Sequence, residues 1–526
     1  MGIPLHDTDE YAAKIHLCRL FNMSPHNLVL PLLRHAKINP SKVALDVGGA
    51  TLSYAELSEA SGKIAAWIGT RTEDAAPRIA ILASRTWEAY AGVLGAAWAG
   101  AAYVPINPSW PAARIEQLLA IAKPGAIIAD PAGAALLASG VFPARPFPVL
   151  VPSRQALTGP IPPPAGITDR QIAYIIFTSG STGVPKGVMV SNASVNAFLS
   201  GMRRRYSLTP EDRLSQASEL TFDVSVFDMF MAWDAGASLC VVPKSQLMAP
   251  RDFIREKSIT VWFSVPSIAI FMQRMKMLAP ASFPRLRYSL FAGEALPAAA
   301  ATAWQLAAPN SSVENLYGPT EATVVCLGCK FTGDTDITPD RGTVATGIEL
   351  EGVSAAIFDE RLRPVSSNVH GQLAISGEQL AEGYLGDATL THARFPTIEG
   401  RRWYLTGDLA YLDGRGIFHH LGRIDNQVKV HGHRIELEEI ESHLRICAKT
   451  DAVVAVPWRG SFGSAEGVVA FVSDSALPLL ELQHALKSRL PSYMVPTEIR
   501  SLDKLPLGPS GKFDRKALME LLEPAK

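Results

Sequence analysis

The sequence predicts an α/β protein, with a large N-terminal unit on a mostly parallel sheet covered on both faces and a smaller α+β unit after it. Three observations carry this. Short apolar runs alternate with helical stretches: "RIAILAS" (78–84), "AIIAD" (126–130), "IAYIIFTS" (172–179), "ASLCVVP" (237–243), "SITVWFSV" (258–265) and "RYSLFAG" (287–293). Their hydrophobicity is continuous rather than alternating, as in strands buried on both faces. From about residue 350 short strands and Gly turns dominate, as in "GQLAISGE" and "WYLTGDLAYLDGRGIFHHLGR". The C-terminal stretch then combines the helix "ELEEIESHLRI", the strands "AVVAVPW" and "GVVAFVS", and the helix "LLELQHALKSRL".

Taken in order, the N-terminus "MGIPLHDTDEYAAK" has no apolar core of a secretory signal, and His6 breaks the myristoylation pattern. Residues 89–113 carry no charge and are long enough to span a bilayer. Pro105, Pro108 and Pro111 break their second half and Gly100 reads as a helix C-cap, so a buried helix followed by a short strand is expected instead. The Pro-rich "TGPIPPPAGITD" (158–169) reads as an exposed connector. A boundary falls at "GRIDNQ" (422–427), giving units 1–424 and 425–526. No internal repeat is present.

At 526 residues, 48% hydrophobic and 19% charged, the chain can bury large cores. A net charge of −1 gives no reason to expect nucleic acid or a membrane as partner. The cluster 203–205 reads as a solvated face, or as a docking patch for an acidic partner. Five scattered cysteines argue against a disulfide framework and for a reducing compartment, and the expectation is a soluble cytoplasmic protein. "CLGC" (326–329) has redox or zinc spacing but lacks a second ligand pair, which leaves two thiols on or near a strand.

The chemistry begins at "FTSGSTGVPKG" (177–187), placed after a strand and before an expected helix. Its Gly, Ser and Thr residues can turn N–H groups and hydroxyls toward phosphate oxygens, and Lys186 adds charge. It is not a Walker loop, because Pro185 stands where the second glycine is required. The plainer alternative is a flexible Ser/Gly turn.

"YIIFTSGSTGVPKG" resembles the phosphate-binding signature of the adenylate-forming (ANL) superfamily, which includes acyl-CoA synthetases, luciferases and the adenylation domains of nonribosomal peptide synthetases. Further stretches are similar, in order, to the amino-acid-activating branch. They are "TLSYAEL" (51–57), "AGAAYVPINPSWP" (99–111), "FDVS" (222–225), "NLYGPTEAT" (315–323), "GQLAISGEQLAEGYLG" (371–386), "YLTGDL" (404–409), "GRIDNQVKVHGHRIELEEIE" (422–441), "LPSYMVP" (490–496) and "GPSGKFDR" (508–515). The resemblance implies the ANL fold: layered α/β sheets plus a small β-barrel in residues 1–424, then a mobile α+β domain over 425–526. It also implies a ligase that joins a carboxylate to AMP with release of pyrophosphate, then hands the acyl group to a thiol.

By the same resemblance Thr178, Ser179, Gly180, Ser181, Thr182, Gly183 and Lys186 hold the β- and γ-phosphates of ATP. Gly293 and Glu294 join the nucleotide site with Gly318. Tyr317 stacks on adenine and Asn315 bonds its amino edge. Thr320 contacts the α-phosphate, Glu321 binds Mg²⁺, and Asp408, assisted by Arg423, accepts the ribose hydroxyls. Outside the motif, Tyr317 and Asp408 read as a turn-packing aromatic and an Asx-turn. Lys512 is similar to the superfamily's catalytic lysine, a point charge for the developing negative charge at phosphorus; otherwise it is a surface lysine in a turn. Asp425 resembles the hinge whose rotation would withdraw Lys512 and bring residues 428–436 to the site. Glu438 stands where the common family form has Gly.

Asp223 lies in an otherwise apolar run, "TFDVSVFD". A buried carboxylate is costly unless paired, so it points to a cationic ligand, the α-ammonium of an amino acid; the alternative is a helix N-cap. The pocket carried over by the resemblance is Asp223, Val224, Phe227, Phe263, Leu290, Ala292, Leu316, Val324, Val325 and Lys512. Between Asp and Lys it is wholly apolar, so a polar substrate side chain would go unsatisfied at a cost of about 1–3 kcal/mol. The set resembles free-standing L-prolyl carrier-protein ligases of antibiotic biosynthesis. L-Proline is the expected substrate; valine, leucine and pipecolate fit the same physics. The chain stops soon after Lys512, which leads to the expectation that the phosphopantetheine thiol arrives on a separate carrier protein. An acyl-CoA synthetase and a non-catalytic nucleotide-binding relative are the rival classes.

Overall fold

The computed structural model describes residues 26–72, 74, 76–140, 147–153, 159–180, 183–458, 464–507 and 513–522. Two large sheets carry the N-terminal unit. The nine-stranded sheet runs, in spatial order, Ile348–Glu349, Leu327–Lys330, Ser312–Tyr317, Tyr288–Ala292, Val261–Ser264, Arg213–Gln216, Ser238–Val241, Val43–Val47 and Ala50–Ser53. Its six central strands, from Ser312–Tyr317 to Val43–Val47, are parallel, with antiparallel partners only toward the edges. The second sheet orders Gly383–Tyr384, Lys186–Ser191, Ile172–Thr178, Ala102–Ile106, Arg78–Leu82, Ala126–Ala129 and Val149–Leu150. Each apolar run of the sequence supplies one of these strands, and they are buried over most of their length.

The uncharged stretch becomes the helix Trp87–Trp98, closed by Gly100 at φ 69°, and the strand Ala102–Ile106. Nearly every residue of that helix is buried, and after Glu88 in its first turn it carries no charge. Among the described residues no helix is long and apolar enough to cross a membrane. Helix Tyr54–Gly69, packed against it, starts with a reciprocal capping box between Ser53 and Glu56.

One expectation is corrected. The loop after Thr178 leads into the strand Lys186–Ser191, which pairs antiparallel with Ile172–Thr178, and only then into the helix Asn192–Arg205. The apolar residues of "KGVMVS" complete the sheet, and Ser191, not the loop, caps the helix. The loop is thus a hairpin connection, and its anion-binding capacity comes from its own N–H groups, hydroxyls and Lys186 rather than from a helix N-terminus.

Beyond residue 350 a four-stranded antiparallel sheet, Val353–Phe358, Gly371–Gly377, Tyr404–Leu412 and Phe418–Arg423, with small two-stranded ribbons, stands where the barrel was expected. Residues 424–426 connect it to a hairpin, Gln427–Val430 and His433–Glu436, that pairs with Ser464–Ala465. The sheet Val453–Trp458, Gly467–Val472 and Glu498–Ser501 and the helices Leu437–Ala448, Leu479–Lys487 and Arg515–Glu520 complete this part around a core of its own.

Candidate active site

Parallel sheets place ligands beyond the carboxyl ends of their strands. Here Ala292 runs into Gly293 and Glu294, Tyr317 into Gly318, and Ser264 into Val265, all at one end of the nine-stranded sheet. Two adjoining cavities open there. They share Gly293, Tyr317, Gly318, Asp408, Arg423, Lys429 and Arg434 as a common wall.

The first cavity is lined by Glu294, Asn315, Leu316, Thr343, Val344 and His420. Asn315 donates its amide hydrogens to the carbonyls of Val344 (3.1 Å) and Ala345 (2.9 Å), which leaves its buried Oδ1 without a partner. A fixed, unpaired acceptor suits the amino edge of a base. Asp408 forms no Asx-turn. It lies within the strand Tyr404–Leu412, where its carboxylate takes hydrogen bonds from Tyr317 Oη (2.5 Å), Arg423 Nη1 (3.0 Å) and the ring of His420 (3.1 Å). Burial opposes its charge, but Arg423, His420 and Lys429 outweigh it and hold the carboxyl well below the usual carboxylate range. It therefore stays an acceptor at any working pH. Gly407 N–H, one residue before, donates to Gln372 (3.0 Å).

The second cavity contains Thr178, Ser179, Asp223, Val224, Ala292, Thr320 and Val324. Thr178 Oγ1 is buried and unpartnered. A Cβ on Gly180 would sit 1.8 Å from the Val184 carbonyl oxygen, so only glycine lets the loop fold back on itself, with Gly183 N–H closing the turn onto Gly180. Ser181, Thr182 and Lys512 lie outside the described residues.

The hairpin 427–436 and the helix after it press into this cavity. Gly180 N–H donates to Glu439 (3.0 Å) and Lys186 pairs with Glu436 (2.9 Å). Ser179 donates to the Arg434 carbonyl (2.8 Å) and accepts from the Glu436 N–H (3.0 Å). Glu321 is fully buried; Tyr384 donates to one oxygen (2.8 Å) and Arg434 to the other (2.9 Å). Burial raises its pKa, yet Arg434 and Lys186 hold it at about 2. Both its oxygens are thus committed, and among the described residues no group of three or more His, Cys, Asp or Glu could hold a metal. A Mg²⁺ at Glu321 does not fit this arrangement, because the Arg434 guanidinium stands in the cation's place.

Asp223 precedes the helix Val224–Asp234 but makes no side-chain cap. It is half-buried at the cavity wall, Thr320 hydrogen-bonds it, and among the described residues no Lys or Arg pairs with it. Burial pushes it up to about 6. Of the apolar set, Val224, Ala292 and Val324 line this cavity and Leu316 the neighbouring one. Phe227, Phe263, Leu290 and Val325 are fully buried behind them, Phe227 and Phe263 edge-to-face at 5.2 Å, and close the floor. Val324 is held at φ 70°, an unusual conformation for a β-branched residue. Gln379 fixes it by donating to the carbonyls of Ala322 (2.6 Å) and Val325 (2.9 Å).

Asp425 lies between the last strand of the four-stranded sheet and the hairpin, clamped by Arg423 Nε (2.8 Å) and Nη2 (2.6 Å). Glu438 accepts from Asn426 (2.8 Å) and Arg515 (3.4 Å), tying this linker to the helix Arg515–Glu520. Sequence reasoning missed His420, Lys429, Arg434, Gln379, Arg114, Glu436 and Glu439 as individual residues. For those between 429 and 439 the signal was available: five charged side chains among "KVHGHRIELEE" that a solvated hairpin would not need. "CLGC" proves to be two buried free thiols at the strand Leu327–Lys330, both pKa values raised by burial, Cys329 to about 12.

The AMP-binding enzyme family matches residues 32–385. A D-alanine–D-alanyl carrier protein ligase of Bacillus cytotoxicus is 31% identical over 498 residues, 91% of this chain and 96% of that protein. Tyrocidine synthase 3 of Brevibacillus parabrevis is 32% identical over 94% of this chain, a match spanning 8% of that much longer protein. Among solved structures, the Vibrio cholerae adenylation domain AlmE in complex with glycyl-adenosine-5'-phosphate superposes with a TM-score of 0.84 at 30% identity, covering 94% of this chain and 97% of AlmE.

Proposed function

This chain belongs to the AMP-binding enzyme family and is an AMP-forming ligase, and on that premise we propose that it activates a compact apolar α-amino acid, L-proline foremost. A substrate carboxylate oxygen attacks the α-phosphorus of ATP and pyrophosphate leaves. The phosphopantetheine thiol of a separate carrier protein then attacks the acyl carbon, and AMP leaves. Asp223 is the observation that carries this reading: a carboxylate at the cavity wall that no Lys or Arg among the described residues pairs with is suited to receive the substrate's ammonium. A fatty or aryl acid has no use for it. The orphaned Asn315 Oδ1 and Thr178 Oγ1 support a purine amino group and phosphates in the adjoining spaces. Mg²⁺ at Glu321 belongs to a different placement of Arg434, one in which the hairpin has withdrawn.

One observation favours a smaller substrate. Because Phe227, Phe263 and Leu290 are closed off behind the cavity, glycine or alanine would fill it with less rearrangement than proline. ATP–pyrophosphate exchange across proline, alanine, glycine, valine, leucine, pipecolate and representative fatty and aryl acids decides. Proline is expected to give the strongest signal. A signal from alanine or glycine with proline silent replaces it by the smaller substrate, and exchange with fatty or aryl acids alone overturns the amino-acid reading. Apolar pockets separate one methylene by about 10–200-fold, so neighbouring substrates should leak measurably.

The raised pKa of Asp223 gives a pH signature. Below about 6 the carboxylate takes up a proton and loses its attraction for an ammonium. The exchange kcat/KM for the amino acid should therefore fall about tenfold per pH unit below that value and level off above it. Asp223→Asn should lower kcat/KM throughout and flatten this limb; an unchanged profile would remove Asp223 from the ammonium site.

A further inference from the structure

We propose that Gln379 determines specificity from outside the substrate cavity: it braces the turn of Thr323 and Val324, and so sets the size of side chain that the cavity accepts. This rests on the reading of that cavity as the amino-acid site.

The turn does not hold itself. Thr323 stands at φ 54° and Val324 at φ 70°, two β-branched residues in succession in the left-handed region. Each Cβ crowds its own backbone there, so the pair persists only where the surroundings fix it. Val325 N–H reaches the Thr323 carbonyl (3.0 Å), which closes a three-residue turn with a positive φ at its centre, the rare and strained form.

Gln379 supplies the restraint. Its buried amide donates one hydrogen to the Ala322 carbonyl (2.6 Å) and the other to the Val325 carbonyl (2.9 Å), one on either side of the strained pair. The Thr323 hydroxyl donates back to the Gln379 carbonyl (2.5 Å), and the Ala381 N–H donates to the Glu321 carbonyl (2.8 Å). The brace is itself anchored. Ser194 donates to the Leu380 carbonyl (2.9 Å), and Arg402 to those of Ala381 (2.8 Å) and Glu382 (2.9 Å). A primary amide has the two donors this needs, and a carboxylate of the same shape has none.

What the brace holds is cavity wall. Val324 lines the cavity that contains Asp223, whereas Gln379 lines neither cavity. The Val324 peptide lies directly on Gly318, where a Cβ would stand 2.4 Å from the Val324 carbonyl oxygen and 2.4 Å from Val325 Cα. Released from Gln379, Thr323 and Val324 would relax toward negative φ and the Val324 side chain would leave the wall. Space would open beside Asp223, and a larger substrate would enter at a smaller penalty. Gln379 is therefore a positioning residue: it acts on the substrate through Val324.

The test is ATP–pyrophosphate exchange by the full chain carrying Gln379→Glu, with the wild type's best amino acid and its homologues one and two methylenes larger. The kcat/KM ratio favouring the best acid over the larger ones should fall about tenfold, the low end of what one methylene is worth in an apolar pocket. The KM for ATP should stay within about twofold of the wild-type value. A merely structural residue would lower exchange with every acid alike, as a smaller folded fraction does, and leave the ratio unmoved. Thr323→Val keeps the side chain's shape and removes its bond to Gln379. It should move the ratio the same way by about threefold, and it decides the matter if circular dichroism shows Gln379→Glu unfolded. An unmoved ratio in the folded variant overturns the inference and leaves the amino-acid reading standing. Wild-type exchange with no amino acid overturns both.

Discussion

Lys512→Ala is expected to slow ATP–pyrophosphate exchange about 10²–10³-fold while ATP still binds. The expectation rests on charge. As the carboxylate closes on the α-phosphorus, negative charge grows on oxygens that already carry it, and a lysine brought to that point stabilises the transition state more than the ground state. Among the described residues Lys429, Arg423 and Arg434 are the cations on the shared cavity wall, and each is engaged with or near a fixed carboxylate, Asp408 or Glu321. On either side of the undescribed residues 508–512, Leu507 and Phe513 bridge to each other, and Phe513 packs on the sheet that contains Val454 and Phe471. Exchange assays paired with calorimetric ATP binding separate the two effects. Near-wild-type exchange would remove Lys512 from catalysis, and lost binding would make it a ligand-holding residue instead.

Gly432→Val is expected to slow thiol transfer about tenfold and to spare exchange. Gly432 forms the tip of the hairpin at φ 82°, and its N–H donates to Glu294 at 2.6 Å. A Cβ there would lie 2.4 Å from Val265 Cγ1, inside the wall of the cavity. A β-branched residue in the left-handed region costs about 1–2 kcal/mol, and the overpacked contact about as much again. The backbone cost is common to both arrangements, so the contact alone disfavours the docked one, by about 1–2 kcal/mol or about tenfold in its population. An arrangement with the hairpin withdrawn feels only the backbone cost. Single-turnover transfer to pantetheine and exchange, measured on one preparation, read the two steps. Equal losses in both would mean that the hairpin serves adenylation as well, or that the variant is misfolded, which circular dichroism distinguishes.

The strands of the two large sheets were legible because burial on both faces leaves only apolar residues to choose from. The helix Trp87–Trp98 was legible for a related reason: its buried residues after Glu88 are all uncharged, and Gly100 and the prolines mark its end. The loop after Thr178 was misplaced before a helix because "KGVMVS" and the helix behind it are both compatible with a phosphate loop. Only pairing with Ile172–Thr178 selects the strand.

By itself, then, the sequence determined the strand inventory, the change of architecture near residue 350 and the set of chemistry-bearing residues, since these depend on side-chain type and short-range order. The tertiary structure alone decided what those residues face. Asp223 could cap a helix or receive a ligand, and its missing cap together with its place in the cavity wall excludes the cap. Glu321 could meet a metal, and instead it meets Arg434 from 113 positions along the chain. Gly180 and Glu439 are 259 residues apart. A charge's partner depends on which surfaces fold together, and no local pattern of residues encodes that.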